Sequence, residues 1–145
     1  MTAPAITVRE VSLHERDVHL RLPFRFGVVT LQDAPQAFAR VRIEAADGRS
    51  AWGTGAELMV PKWFDKNEAL SNEDNFDQLR AACALAAEAY KTAGARTAFG
   101  LVATTHDDLV AAGAARGLNA LTTGFGAALL DRAVLDALCH LLDIS

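Results

Sequence analysis

The sequence predicts an α+β domain, a three-stranded antiparallel meander followed by a bundle of about three helices. Three observations lead there. Apolar residues recur with period two only in the first third of the chain. An Asp47-Gly48 pair divides two such stretches, and this pair is a strong signal for a tight hairpin. Beyond Pro61 the apolar spacing changes to the helical three and four. Strands first and helices after is the α+β order rather than βαβ alternation.

From Ala5 to Leu22 the apolar residues alternate in short sets, Ile6 and Val8, then Val11 and Leu13, then Val18, Leu20 and Leu22. The phase slips at Arg9-Glu10 and around Glu15-Asp17, which predicts a bulge and then a bend or turn. Pro23 has no N–H for a ladder and is expected to end the strand. Phe24 to Pro35 mixes aromatics with Gly27 and reads as a loop. A second strand is predicted from about Gln36 to Ala46, with Ala37, Ala39, Val41, Ile43 and Ala45 on one face. The third runs from Arg49 to about Glu57, so the sheet spans about residues 5–57.

The helices are expected over about residues 71–142. Ser71-Asn72-Glu73-Asp74 resembles a capping box, and Phe76, Leu79, Cys83, Ala86 and Tyr90 follow at helical spacing until Gly94. Thr105 with Asp108 reads as a second cap, opening a shorter helix that ends near Gly117. His106 and Asp107-Asp108 then fall in its first turn. The third helix is expected from about Phe125 to Leu142. Leu130, Val134, Leu138 and Leu141 form its apolar stripe, which Leu129, Leu135 and Leu142 widen. Arg132, Asp136 and His140 make a narrow polar line at i, i+4 and i+8. A helix apolar over so much of its circumference should be buried on most sides, in part by polypeptide outside this chain.

The chain has 145 residues, 51% hydrophobic and 22% charged, at the size and composition of one globular domain. Its net charge is −4 and its three lysines, Lys62, Lys66 and Lys91, are scattered, so no footprint for nucleic acid exists. Met1 to Ile6 shows no signal-peptide pattern, and Asp131, Arg132 and Asp136 break the longest apolar stretch, so a membrane span is not expected and the cytoplasm is the default. Cys83 and Cys139 lie in apolar helical patterns and read as buried thiols.

None of the four histidines, His14, His19, His106 and His140, forms a pair with metal-ligand spacing. Glu73-Asp74 and Asp107-Asp108 are explained by helix N-termini, where the macrodipole favours anions. Gly53-Thr54-Gly55 and Gly124-Phe125-Gly126 complete no nucleotide fingerprint, and no G-x-S-x-G elbow is present. Two segments stand out instead. Pro23 to Thr30 exposes aromatics and Arg25. Trp52 to Phe64 leaves the third strand through two glycines and carries Met59, Trp63 and Phe64 into non-regular structure. Such apolar loops either mark a ligand or interdomain contact or fold back as a satellite core.

In this order the segments resemble the N-terminal capping domain of the enolase superfamily, in its mandelate racemase and muconate lactonizing enzyme branch. The matching residues are Leu20-Arg21-Leu22-Pro23-Phe24, the hairpin Val41-Arg42-Ile43-Glu44 through Asp47-Gly48, then Ala51-Trp52-Gly53, then Ala133-Val134-Leu135-Asp136-Ala137. Thr54 stands where the family pattern has a glutamate, with Glu57 three places on. The resemblance implies a sheet-and-helix cap followed by a modified TIM barrel. It implies a racemase, cycloisomerase or acid-sugar dehydratase that abstracts the proton α to a carboxylate. A barrel Lys or His would be the base, and Mg²⁺ would stabilise the enediolate. The capping loops carry over as Phe24 to Thr30 and Thr54 to Trp63, with Phe24, Arg25, Phe26, Thr54, Glu57, Met59 and Trp63 as candidate substrate-binding residues. No catalytic residue and no Mg²⁺ ligand is expected in this chain, which reads as the front part of a larger enzyme. Expected partners are the C-terminal barrel of the same enzyme, a small carboxylate substrate and further copies in a homo-oligomer, without nucleic acid or membrane. The rival readings are a free-standing α+β binding or oligomerisation module and an unrelated small α+β enzyme.

Overall fold

Strand β1 (Ile6–Phe26), β2 (Val29–Ala45) and β3 (Ser50–Leu58) form one antiparallel sheet in the order β1-β2-β3. Helices α1 (Asn72–Thr92), α2 (Ala98–Ala114) and α3 (Ala120–Leu142) follow. This computed structural model describes residues 3–144. Met1, Thr2 and Ser145, and with them the first residues of the Met1 to Ile6 stretch, lie outside the described residues. The meander-plus-helices architecture is the one the periodicity predicts.

The inner sheet face follows the alternation, with Ala37, Ala39, Val41 and Ile43 buried beside Ile6 and Val8. Asp47-Gly48 turns β2 into β3, with Gly48 at φ 84° and the Asp47 carboxylate accepting the Arg49 N–H at 3.1 Å. Arg9 is the extra residue of a bulge, since Val8 pairs with Ile43 and Glu10 with Arg42.

Two expectations for β1 are corrected. No bend occurs at Glu15-Asp17, where pairing is continuous from Glu10 to His19. The irregularity lies at Leu20–Pro23, because His19 pairs with Asp33 and Phe24 with Leu31. Four residues of β1 there oppose Gln32 alone. Pro23 does not end the strand; it sits in this interruption, where its missing N–H costs no ladder bond. The stretch Phe24 to Pro35 is therefore not a loop but the distal half of a β1–β2 hairpin. Phe26 pairs with Val29 across Gly27-Val28, and Gly27 takes the positive φ, 52°, that the first position of a tight two-residue turn requires.

Ser71 caps α1 with a complete capping box, accepting the Asp74 N–H at 3.1 Å while Asp74 Oδ2 accepts the Ser71 N–H at 2.7 Å. The second cap is corrected from Thr105 to Thr97, whose hydroxyl accepts the Gly100 N–H at 2.9 Å. Thr105 lies inside α2 and donates to the Leu101 carbonyl at 2.7 Å. His106 and Asp107-Asp108 are thus mid-helix residues, and their assignment to a first turn is withdrawn. The helix ends at Ala114, short of Gly117. Helix α3 starts at Ala120, capped by Asn119, so Gly124-Phe125-Gly126 is helical. Gly126 is needed there because a Cβ would stand 2.1 Å from the Ala82 carbonyl oxygen of α1.

Helix α3 is the central element, lying across β3 on one side and α1 on the other. Gly53 and Gly55 let it approach the sheet at backbone distance, since a Cβ on Gly53 would lie 2.1 Å from Ala137 N. The polar line on α3 then meets the open edge of β3. The Thr54 N–H donates to Asp136 Oδ2 at 2.8 Å, His140 Nδ1 donates to the Trp52 carbonyl at 2.8 Å, and Arg132 reaches the Ala56 carbonyl at 3.3 Å. These side chains satisfy edge groups that would otherwise recruit another strand. Leu129, Leu130, Val134 and Leu141 are buried as the stripe predicts, whereas Leu135 and Leu142 remain exposed.

Candidate functional site

The distal hairpin and the segment after β3 meet at one end of the sheet. Phe24 and Phe26 are two residues apart and so share a face of β1, with ring centroids 5.7 Å apart. Trp63 packs edge-on against Phe26 at 5.3 Å. Phe64, the next residue, turns the other way and packs edge-on against Phe125 of α3 at 5.1 Å, which anchors the segment to the core. The tip stays open to solvent, with Phe24 55%, Trp63 53% and Val28 83% exposed.

Two grooves flank this aromatic cluster. One is apolar, lies between Leu20, Phe24, Leu31, Val60 and Trp63, and has Glu57 at its edge. The other runs between the hairpin turn and the Lys62–Asn72 segment, with Phe26, Val29 and Trp63 as walls and Lys66 at the rim. Glu57 is engaged by Arg132 in an ion pair that is about half open to water, worth no more than ~1 kcal/mol at such exposure. Of the seven sequence candidates, then, Phe24, Phe26, Glu57 and Trp63 are brought together.

The other three are placed elsewhere. Met59 is fully buried beneath the sheet end, in the core rather than on a loop surface. Its N–H continues the strand pairing by donating to the Pro35 carbonyl at 2.9 Å. Thr54 lies in mid-strand opposite Arg40 and gives its N–H to Asp136, four residues short of Leu58. Arg25 stands exposed on the hairpin face opposite Phe24 and Phe26. The sequence reading missed Leu20, Leu31 and Val60 as groove walls. The two-residue spacing around Gly27-Val28 is the signal that could have revealed the hairpin.

Among the described residues no group of three or more His, Cys, Asp or Glu is placed to hold a metal ion; Glu15, Glu73 and Asp77 converge, but on the Arg80 guanidinium, which occupies their midst. Burial pushes the Cys83 thiol up to about 12, so it stays protonated near neutrality and is no nucleophile. Asp131 is raised by burial and lowered by the Tyr90 hydroxyl, which donates to its Oδ1 at 2.6 Å. This pair joins α1 to α3. No helix among the described residues is long and apolar enough to cross a membrane.

Comparison with known proteins bears on the fold. No protein-family model and no curated protein matches the sequence. A crystal structure of an enolase from alpha pretobacterium bal199 with bound Mg superposes with a TM-score of 0.54 at 16% identity, over 94% of this chain and 32% of the enolase. A protein from Sorangium cellulosum assigned as a mandelate racemase/muconate lactonizing enzyme aligns over 94% of this chain and 31% of its own, at 24% identity and a TM-score of 0.37. The chain thus spans about a third of the length of either protein. Three antiparallel strands, with α1 and α3 packed on the sheet and α2 packed on those two helices, give this chain the fold of the N-terminal domain of an enolase.

Proposed function

We propose that this chain is the substrate-capping domain of an enolase-superfamily enzyme that removes the proton α to a carboxylate. In this reading it closes over the mouth of a barrel domain of the same enzyme, and the hairpin tip and the segment to Trp63 set specificity. The observation that carries the proposal is the Phe24–Phe26–Trp63 cluster, held at one end of the sheet and left half exposed. A solvent-facing aromatic cluster of this kind needs a cover, and a ligand against a second domain supplies one. Arg25, on the other hairpin face, would meet a substrate carboxylate or hydroxyl only from that side.

Mg²⁺ demands several hard oxygen ligands in near-octahedral array. The carboxylates among the described residues do not fit that demand, because no three are placed to hold a metal ion and several are committed to arginines, as in Glu10–Arg42, Glu57–Arg132 and the Glu15, Glu73 and Asp77 set around Arg80. The ion of the proposed enzyme would be held outside this domain.

A second reading, a binding or oligomerisation module, is favoured by α3. Leu121, Leu135 and Leu142 follow one another at fourteen and then seven residues and stand exposed along one line of the helix. Sedimentation of the 145-residue chain tests the oligomerisation form of this second reading, which expects a self-associated species; a monomer at all concentrations would sink it.

The test of the main reading uses the enzyme that joins this chain to its barrel, assayed with Mg²⁺ on a panel of carboxylic acids bearing an α proton. Trp63→Ala and Arg25→Ala should each lower kcat/KM about tenfold or more, equivalent to ~1.4 kcal/mol, with the melting temperature nearly unchanged. Parental kcat/KM in both variants, or no turnover of any acid by the parent, would sink the proposal.

A further inference from the structure

The segment between β3 and α1 has irregular backbone, yet its hydrogen bonds close on themselves. Lys62 stands at φ 61°, in the left-handed region that a residue with a side chain occupies only when its surroundings hold it there. Its N–H donates to Asn75 Oδ1 at 3.0 Å. Its ammonium donates to the carbonyls of Asn67, at 2.9 Å, and Leu70. Asn75, although in the first turn of α1, is only 3% exposed. Its Nδ2 donates to Gln78 Oε1 at 3.1 Å, and Gln78 Nε2 donates to Asp65 Oδ2 at 2.9 Å. Asp65 Oδ1 then accepts the Asn67 N–H at 3.0 Å, which returns the path to the residue whose carbonyl Lys62 holds.

The ring of contacts is therefore Lys62, Asn75, Gln78, Asp65 and Asn67, and the residues it brackets in sequence are Trp63 and Phe64. Phe64 is held a second time, because Asn119 Nδ2 donates to its carbonyl at 3.1 Å. The N–H groups of Asn67 and the Gln78 amide also keep the Asp65 carboxyl below its ordinary range, so it accepts as a carboxylate near neutrality. A loop that simply connects two elements leaves most of its backbone groups to water. Here a strained residue and a buried amide are both spent on one short segment, and the segment presents an exposed indole.

We propose that this ring is a positioning device that fixes Trp63 as a rigid wall of the site, with Asn75 and Lys62 as positioning residues that act through Trp63. The inference rests on the capping reading for its functional meaning, but the rigidity itself does not. The part left free to adjust is the hairpin tip, whose ladder is already interrupted at Leu20–Pro23. Ligand size would then be sensed by the tip moving against a fixed Trp63, rather than by a lid carrying the tryptophan.

The chain has two tryptophans, so Trp52→Phe leaves Trp63 as the sole indole reporter. In that background, Asn75→Ala and Lys62→Met should each release the indole. Its fluorescence anisotropy should fall and its acrylamide quenching constant should rise roughly twofold or more, well below the unfolding transition and with unchanged far-UV helical signal. Glu68→Gln, outside the ring, should change neither. If Asn75→Ala does not fold, Lys62→Met carries the same comparison. Unchanged anisotropy and quenching in the folded variants would overturn the inference, and so would a lowered melting temperature with Trp63 unaffected below it. A released indole together with parental kcat/KM for both Trp63→Ala and Arg25→Ala in the barrel-bearing enzyme would uphold the ring and refute the capping reading alone.

Discussion

Replacing Gly53 by alanine tests the helix-on-sheet contact on which the whole fold depends. The added Cβ would lie 2.1 Å from Ala137 N, 2.2 Å from the Ala133 carbonyl oxygen and 2.7 Å from Ala137 Cα. Carbon contacts relax at ~3.5–4.0 Å, so α3 would have to retreat by more than ~1 Å. All three neighbours are backbone, so no rotamer change offers relief. Overpacking of this kind costs about 1–3 kcal/mol. The retreat also stretches the Thr54–Asp136 and Trp52–His140 hydrogen bonds along the β3 edge, adding ~0.5 kcal/mol for each at such exposure. The sum is roughly 2–4 kcal/mol. With a urea slope of about 1–3 kcal/mol per molar, the denaturation midpoint should fall by ~1 M or more. Gly124→Ala supplies the control within α3, since nothing lies within 4 Å of a Cβ there. That change should raise stability by about 0.5–1 kcal/mol through helix propensity alone. Equal shifts in the two variants, or a Gly53→Ala midpoint at the parental value, would refute the close-approach argument.

Two further outcomes follow from single residues. Gly48→Val meets open space but must adopt φ 84°, so it should cost roughly 1 kcal/mol or more in equilibrium denaturation, and an unchanged midpoint would remove the Asp47-Gly48 turn from this account. Tyr90→Phe removes the hydroxyl that lowers Asp131, so the Asp131 carboxyl should titrate still higher by ¹³C NMR and the domain should lose about 1–3 kcal/mol near neutrality. Because the folded pKa of Asp131 is raised above its unfolded value, its burial penalty is absent below the unfolded pKa, grows as pH rises between the two values and is complete above the folded one. The Tyr90→Phe deficit should therefore shrink on acidification through that pKa, and a deficit independent of pH would count against the pairing.

What the sequence determined by itself are the features whose partners lie within a few residues. The Ser71 box, the Asp47-Gly48 turn and the Arg9 bulge each rest on contacts between near neighbours or on a break in a period of two, and all three are legible directly. The face of β2 carrying Ala37, Ala39, Val41 and Ile43 is legible for the same reason. Local rules failed where two positions satisfied them equally. Thr97 and Thr105 can both cap a helix, and the choice falls to Thr97 because α2 must begin early enough to bury Leu101 completely against the core. Gly124 and Gly126 weaken the helix signal, yet Gly126 is required by the passage of α1. The hairpin at Phe24 to Pro35 was hidden because three extra residues at Leu20–Pro23 break the alternation that identifies strands. The candidate site divides along the same line. Aromatic residues in two segments were visible as unusual, but their meeting at one end of the sheet depends on the long hairpin and on the Lys62–Asn75 bond. Met59 and Trp63 are four residues apart and equally apolar to a linear reading; tertiary packing buries the first and exposes the second. The line Arg132, Asp136 and His140 was evident as a helical stripe, whereas its target, the edge of β3, lies about eighty residues earlier in the chain. Only the approach of α3 to Gly53 and Gly55 brings those groups within hydrogen-bond distance, and that approach is a property of two backbones rather than of any local pattern.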